Sequence, residues 1–327
     1  MDKVLVIQTA FIGDAILGTA LLERLHQDYP NAKIDYLVRN GNQSLFNDHP
    51  YLNEVLVWDK QDSKYAELWQ LLREIRRRKY GAVYNIQRYT ASGFLTAFSG
   101  AKKKFGYKNN PLSFLFSKSV EHRFGKGFET VHEVDRVLDL IGCNSVRTNP
   151  KLYPADKDFL LVKEFQSEPY VTIAPASVWF TKQFPVEKWV EFVNQIPASY
   201  NVYLIGAKND AAIAAEIVKK STRIVNDFTG NFKLLETAAL MKAAKMNFAN
   251  DSAPVHLASA LNAPITEVFC STVPEFGFTP LADNATIIQT KEKLDCRPCG
   301  IHGKSACPKG HFKCAHSIDV REMISDL

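Results

Sequence analysis

Short, nearly continuous apolar runs alternate along this chain with stretches whose apolar positions recur every three to four residues. The runs Val4–Gln8, Ile34–Val38, Val55–Trp58 and Ala82–Ile86 predict strands buried on both faces. Between and after them, Asp14–Tyr29, Ser63–Lys79, Ala91–Phe98 and Thr130–Ile141 predict helices. Residues 144–168 are polar, hold Pro150 and Pro154, and read as a linker. The pattern then restarts, with strands predicted at Tyr170–Ala174, Asn201–Ile205, Asn247–Ala249 and Thr266–Phe269. Its helices are predicted at Val186–Gln195, Asp210–Lys220, Lys233–Ala244 and Ser252–Leu261, with a last helix over Ile318–Leu327.

Strand–helix alternation implies crossover connections and parallel sheets. The expectation is therefore an α/β protein of two Rossmann-like domains, residues 1–150 and 165–315, with parallel sheets facing across a cleft. Residues 316–327 are expected to pack back on the first domain. A chain of 327 residues also exceeds what one core usually serves. No apolar run reaches the roughly 18 residues of a membrane span. Asp2 and Lys3 lead straight into a strand, unlike a secretory signal, so the reading is cytoplasmic.

Charge is unevenly spread. Residues 1–150 hold 21 Lys+Arg and 16 Asp+Glu, a balance of +5, whereas residues 151–327 hold 19 of each. The excess gathers in Arg73, Arg76, Arg77, Arg78 and Lys79, then Arg88, then Lys102, Lys103 and Lys104. For Arg73–Lys79 a solvated helix face is the favoured reading. The other is a surface for an anionic partner, with acidic lipid or glycan ahead of nucleic acid because stacking aromatics are not interleaved.

Four loops carry candidate chemistry. Ala10–Gly18 joins the first strand to its helix on the ligand-binding edge of such folds. It lacks the dinucleotide glycine spacing, since only Gly13 and Gly18 are present. Asp14 there is either a helix N-cap or a general base that takes a proton from an attacking hydroxyl. The loop Ala174–Pro185 offers Ser177, Thr181 and Lys182 to phosphate oxygens, with Trp179 and Phe180 alongside. In Asn250-Asp251-Ser252-Ala253-Pro254-Val255-His256 a helix begins at Ser252, and its first amides and dipole favour a diphosphate. Asp251 would then face sugar hydroxyls, and His256 reads as a packing residue. Asp210, in Gly206-Ala207-Lys208-Asn209-Asp210, is either a ribose ligand or a cap.

These loops, with Asp227-Phe228-Thr229-Gly230 and the continuation of the third motif to Pro264, follow the order and spacing of the ADP-heptose:lipopolysaccharide heptosyltransferases. The chain thus resembles glycosyltransferase family 9, of GT-B fold, over nearly its whole length. The resemblance implies an inverting, metal-independent transferase without cofactor, moving heptose from ADP-heptose to the anionic inner core of lipopolysaccharide. By it, Asp14 is the base. Ser177, Lys182 and the amides of Ser252 and Ala253 hold the donor diphosphate. Asp210 holds the ribose, Phe232 the adenine and Asp251 the donor sugar. Arg88, Lys102, Lys103 and Lys104 meet an acceptor at a membrane surface, which makes the enzyme peripheral at the inner face of the inner membrane. The alternatives are a family 9 transferase with another nucleotide sugar or acceptor, and a non-catalytic nucleotide-sugar-binding module. An epimerase of similar fold is disfavoured because no second acid is evident near Asp14.

Near the C-terminus, Cys296, Cys299, Cys307 and Cys314 form C-x2-C-x7-C-x6-C among His302, His311 and His316. Ligand type and number suit a structural zinc, but the second pair is wider than the usual knuckle. Reduced packing thiols are the favoured reading, and Cys143 and Cys270 are read as buried small hydrophobes.

Overall fold

The computed structural model describes residues 2–59, 64–142, 147–325 and 327. Cys143 and Ser63 lie outside them. The chain forms two compact units, Met1–Tyr153 and Pro154–Leu327.

The first unit holds β1 (Lys3–Gln8), α1 (Ile12–Leu17), α2 (Thr19–Asp28), β2 (Lys33–Arg39), β3 (Leu52–Trp58), α3 (Lys64–Arg77) and β4 (Ala82–Asn85). It continues with α4 (Thr90–Ala97), β5 (Lys103–Tyr107), β6 (Lys118–Val120) and α5 (Glu133–Leu138). Its sheet runs β3-β2-β1-β4-β5-β6, all parallel. One face, with Leu5, Ile7, Leu37 and Val83, packs on Leu72 and Ile75 of α3 and Leu95 of α4. Because β1 lies between β2 and β4, the order reverses at β1, and the carboxyl end of such a strand is where open α/β sheets bind ligands. The chain leaving this unit is tied to α2. Lys151 N–H donates to Thr19 Oγ1 at 2.9 Å, and Tyr153 Oη donates to buried Glu23 at 2.9 Å.

The second unit opens with α6 (Asp156–Val162), β7 (Tyr170–Ala174), α7 (Val186–Gln195), β8 (Asn201–Leu204), α8 (Ala211–Lys220) and β9 (Asn226–Asp227). Then come α9 (Leu234–Ala243), β10 (Met246–Asn250), α10 (Ala253–Ala260), β11 (Ile265–Phe269), β12 (Ala285–Gln289), α11 (Lys313–His316) and α12 (Arg321–Ile324). Its parallel sheet runs β12-β11-β10-β7-β8-β9, which is the same order counted from its own first strand. The reversal falls at β7. Val171, Ile173, Leu204, Phe248 and Val268 face Trp189, Phe192 and Ile217 in its core.

Three expectations change. The predicted linker contains α6, because Asp158 accepts the Ala155 N–H at 2.8 Å and Val162 buries completely. The predicted helix Asp14–Tyr29 is two helices meeting at Gly18. The last helix is one turn in the second unit, where Val320 and Met323 join the core. The strands β5, β6, β9 and β12 had no sequence expectation. They are short or carry lysine and polar positions, so they lack the doubly buried apolar run.

Candidate active site

In the first unit, α1 starts three residues earlier than a cap at Asp14 requires. Phe11 is the N-cap, and Asp14 is the half-buried third residue of the first turn. Its carboxylate therefore stands at the positive end of a helix, beside the carboxyl end of β1. The loop beneath is braced. Asn42 Nδ2 donates to Ala10 O at 3.1 Å, and the side chain of Gln87, just past β4, donates to that of Gln8 at the end of β1. Tyr36 Oη donates to Ala15 O at 2.9 Å. A Cβ at Gly18 would lie 2.4 Å from that hydroxyl, so glycine is what lets α1 settle on β2.

The expectation that no second acid lies near Asp14 is wrong. Glu133, at the start of α5, is buried and within the field of Asp14. Burial, with help from the Asp14 charge, pushes its carboxyl up to about 7 against the pull of Arg136 and Arg88. Arg136 Nη1 donates to Glu133 Oε2 at 3.0 Å, and His122 Nε2 stands 3.9 Å from the same oxygen. Burial, then Arg88 and Arg136, holds His122 down at about 4, so that imidazole is neutral at pH 7. No motif marks Glu133; only the return of α5 against the sheet brings it here.

Arg88 follows β4 on this same edge and is exposed. The lysines grouped with it do not join it. Lys103 pairs with Ala82 at the amino end of β5, and Lys104 Nζ donates to Ala97 O at 2.7 Å, at the end of α4. Lys102–Lys104 thus sit at the opposite edge of the sheet from Asp14.

In the second unit, the carboxyl ends of β7 and β10 gather the remaining loops. Buried Asn250 clamps the loop after β7, donating to Pro175 O at 2.7 Å and accepting the Phe184 N–H at 2.9 Å. A short 3-10 turn, Phe180–Lys182, then aims Lys182 inward. Its Nζ lies 2.7 Å from Asp251 Oδ2, which also accepts Thr272 Oγ1 at 2.5 Å. Both members of the ion pair are largely buried. Thr181 is pinned by Ser271 Oγ at 2.9 Å and the Lys304 N–H at 2.8 Å. Ser177, half-buried, uses its carbonyl to hold Gln183. α10 starts beside this pair with Ser252 as N-cap and Pro254 in the first turn. The Ser252 hydroxyl donates to Asn250 O at 3.2 Å rather than capping α10. His256 is buried in α10.

Asp210 is a cap, since its Oδ2 accepts the Ala207 N–H at 2.8 Å. The neighbouring loop stacks on this turn through Gly230 N–H to Gly206 O at 2.9 Å. Gly230 has φ +77° and a Cβ there would press 3.0 Å from the Lys208 backbone, so this close approach needs glycine. Phe232 is half-buried against Phe228 and Phe165, at ring distances of 5.3 and 5.7 Å.

Sequence reasoning also missed Glu267 on β11. It is fully buried, and neither carboxyl oxygen has a hydrogen-bond partner among the described residues. Burial, reinforced by Asp251 and opposed by Lys182, keeps it protonated well above the usual carboxylate range.

The cysteines Cys296, Cys299, Cys307 and Cys314 are free thiols lining a cavity of about 410 Å³ with His311 and Thr181. Among the described residues no group of three or more His, Cys, Asp or Glu is arranged to hold a metal ion. Cys270 is fully buried. Among the described residues no helix is long and apolar enough to cross a membrane.

Residues 68–306 match the profile of glycosyltransferase family 9 (heptosyltransferase). Over 277 residues the chain is 27% identical to a lipopolysaccharide heptosyltransferase 3 of Escherichia coli, covering 80% of this chain and 82% of that one. A family 9 glycosyltransferase from Veillonella parvula superposes with a TM-score of 0.83 at 21% identity, over 99% of this chain and 95% of that one. The E. coli ADP-heptose lipopolysaccharide heptosyltransferase II superposes at 0.80 and 20% identity, over 99% and 97%. Two parallel sheets of one strand order, with ligand-edge loops on each, accompany a family match over most of the chain: the protein belongs to glycosyltransferase family 9, the heptosyltransferases, and is a GT-B glycosyltransferase.

Proposed function

We propose that this enzyme transfers heptose from ADP-heptose to the anionic inner core of lipopolysaccharide, with inversion and with Asp14 as general base. The observation that carries the donor half is the Lys182–Asp251 pair, 2.7 Å apart beside the N-terminus of α10. A bound diphosphate takes the Lys182 ammonium as a charge-assisted partner, together with Ser177 and the amides of Ser252 and Ala253. Asp251, shared between Lys182 and Thr272 without the diphosphate, then turns an oxygen to the donor sugar hydroxyls. Asp210 keeps one oxygen on Ala207 and offers the other to the ribose. Phe232 lies against the adenine.

On the acceptor side, Asp14 takes the proton of the attacking hydroxyl as that oxygen bonds to the anomeric carbon. The bond from that carbon to the ADP oxygen breaks in the same displacement, through an oxocarbenium-like state. ADP leaves with its new charge on Lys182 and the dipole of α10. Arg88, on the Asp14 edge, meets the acceptor's negative charge. Lys102, Lys103 and Lys104 are left out of this role by their place at the other edge.

The test is ADP release with ADP-heptose and a heptose-deficient lipopolysaccharide acceptor. Asp14→Asn is expected to lower turnover at least about 100-fold, with ADP affinity unchanged. Turnover at the wild-type rate would remove Asp14 as the base.

A further inference from the structure

Among the described residues, the first unit exposes an aromatic surface on the flank formed by α3 and α4. Trp69 is 55% exposed and Phe98 43% exposed. Phe94 joins them, edge-on to Trp69 at 5.3 Å and against Phe98 at 5.0 Å. Soluble proteins seldom leave a contiguous cluster of large rings in water without a partner for it.

Cations frame these rings. Arg73 and Arg76 follow Trp69 by four and seven residues, on the same exposed stripe of α3. Arg76 Nη1 donates to Phe98 O at 3.4 Å, and Lys104 Nζ donates to the adjacent Ala97 O at 2.7 Å. Glu74, the nearby acid of α3, is engaged by Arg77 and Arg78 at 2.7 and 2.6 Å. Arg77 and Arg78 are thereby paired with Glu74, whereas Arg73 and Arg76 lie on the exposed stripe beside the rings.

We infer that this face docks on an anionic lipid bilayer, with Trp69 and Phe98 at the headgroup level and Arg73, Arg76 and Lys104 over acidic phosphates. The Trp69 indole, an apolar body with one N–H, suits that depth, Phe98 adds apolar area beside it, and basic side chains gain from the negative surface potential. A nucleic acid would be met by the cations alone. The partly buried edge-to-face rings are not spread along a groove as stacking platforms are. The inference extends the proposed function, since a lipid-linked acceptor is what places such an enzyme at a bilayer, but the patch is read from its own residues.

The test uses the full chain with vesicles that contain neither acceptor nor donor. Cosedimentation is expected with vesicles of mixed phosphatidylglycerol and phosphatidylcholine, to weaken with salt, and to be minimal with phosphatidylcholine alone. Arg73→Glu and Arg76→Glu are each expected to lower partitioning at least about fivefold. Trp69→Gln is expected to lower it as well, and all three variants should keep the wild-type melting temperature. The Trp69 emission, taken as the difference from Trp69→Phe, is expected to shift blue on acidic vesicles. Equal binding to neutral vesicles, or unchanged binding by the variants, would overturn the inference. So would binding to duplex DNA without binding to vesicles, or self-association that the same variants abolish. None of these results bears on donor binding or on Asp14, which the transfer assay measures separately.

Discussion

Asp14 and Lys182 occupy matching places in two sheets of one strand order, yet their surroundings differ. Lys182 is held by a carboxylate at 2.7 Å inside a largely buried pair. Lys182→Ala removes a charge-assisted contact worth about 1.5–3 kcal/mol, so the Kd for ADP is expected to rise by one to two orders of magnitude in titration calorimetry. An unchanged Kd would put the diphosphate elsewhere. Glu133 adds a pH dependence of its own. With its carboxyl at about 7 in the fold and an ordinary value of 4.5 unfolded, the native state holds a proton that the unfolded chain has released. Its contribution to stability is therefore full below pH 4.5 and lost as pH rises to about 7. Glu133→Gln keeps an acceptor for Arg136 and should flatten that part of the profile in urea unfolding at pH 5 and pH 7.5. An identical decline in both proteins would mean that Glu133 does not hold its proton. Asp14, Lys182 and Asp251 could be singled out in the sequence as candidates because each falls shortly after a predicted strand. Glu133 and Glu267 were not, because an acid inside a helix or a strand looks like any other until the fold buries it.

At the scale of elements, the loops work because neighbouring elements hold them. The α1–α2 break shows this. Tyr36 of β2 reaches Ala15 O only because Gly18 has no side chain. Gly18→Ala is expected to cost about 1–3 kcal/mol by overpacking. Tyr36→Phe removes the clashing oxygen, so the double variant should recover part of that loss in thermal unfolding; additive losses would deny the clash. The 3-10 turn that carries Lys182 rests on Thr181, which accepts from Ser271 and from the backbone of Lys304. Thr181→Val leaves both donors without their acceptor in a buried place. It should therefore loosen ADP binding although residue 181 is not itself read as a ligand. Helices with strong apolar periodicity, such as α3 and α7, were predicted nearly to their ends. The edge strands β6, β9 and β12 were not, since sheet edges are half-solvated and need no apolar run, and neither was β5, which opens on Lys103 and Lys104.

For the whole molecule, the duplicated strand order means that each unit has its own core and its own ligand edge. The proposed donor residues all lie in Pro154–Leu327 and the proposed base in Met1–Tyr153. ADP at 100 times its Kd is expected to add about 2.7 kcal/mol of apparent stability. In hydrogen exchange the gain in protection should concentrate at the loops after β7, β8 and β10. Protection centred on the Asp14 loop instead would reverse the assignment of the units. Alternating apolar runs and helical periods by themselves determined an α/β chain of two parallel-sheet units, and the spacing of its loop motifs determined the family. That much is local, because strand burial, helix faces and turn chemistry are written in neighbouring residues. Tertiary structure alone decided that Asp14 stands in the first turn of α1 rather than capping it, that Glu133 lies in its field, and that Lys102–Lys104 sit at the far edge. Those facts depend on which distant segments pack together, and burial and charge proximity exist only once they do.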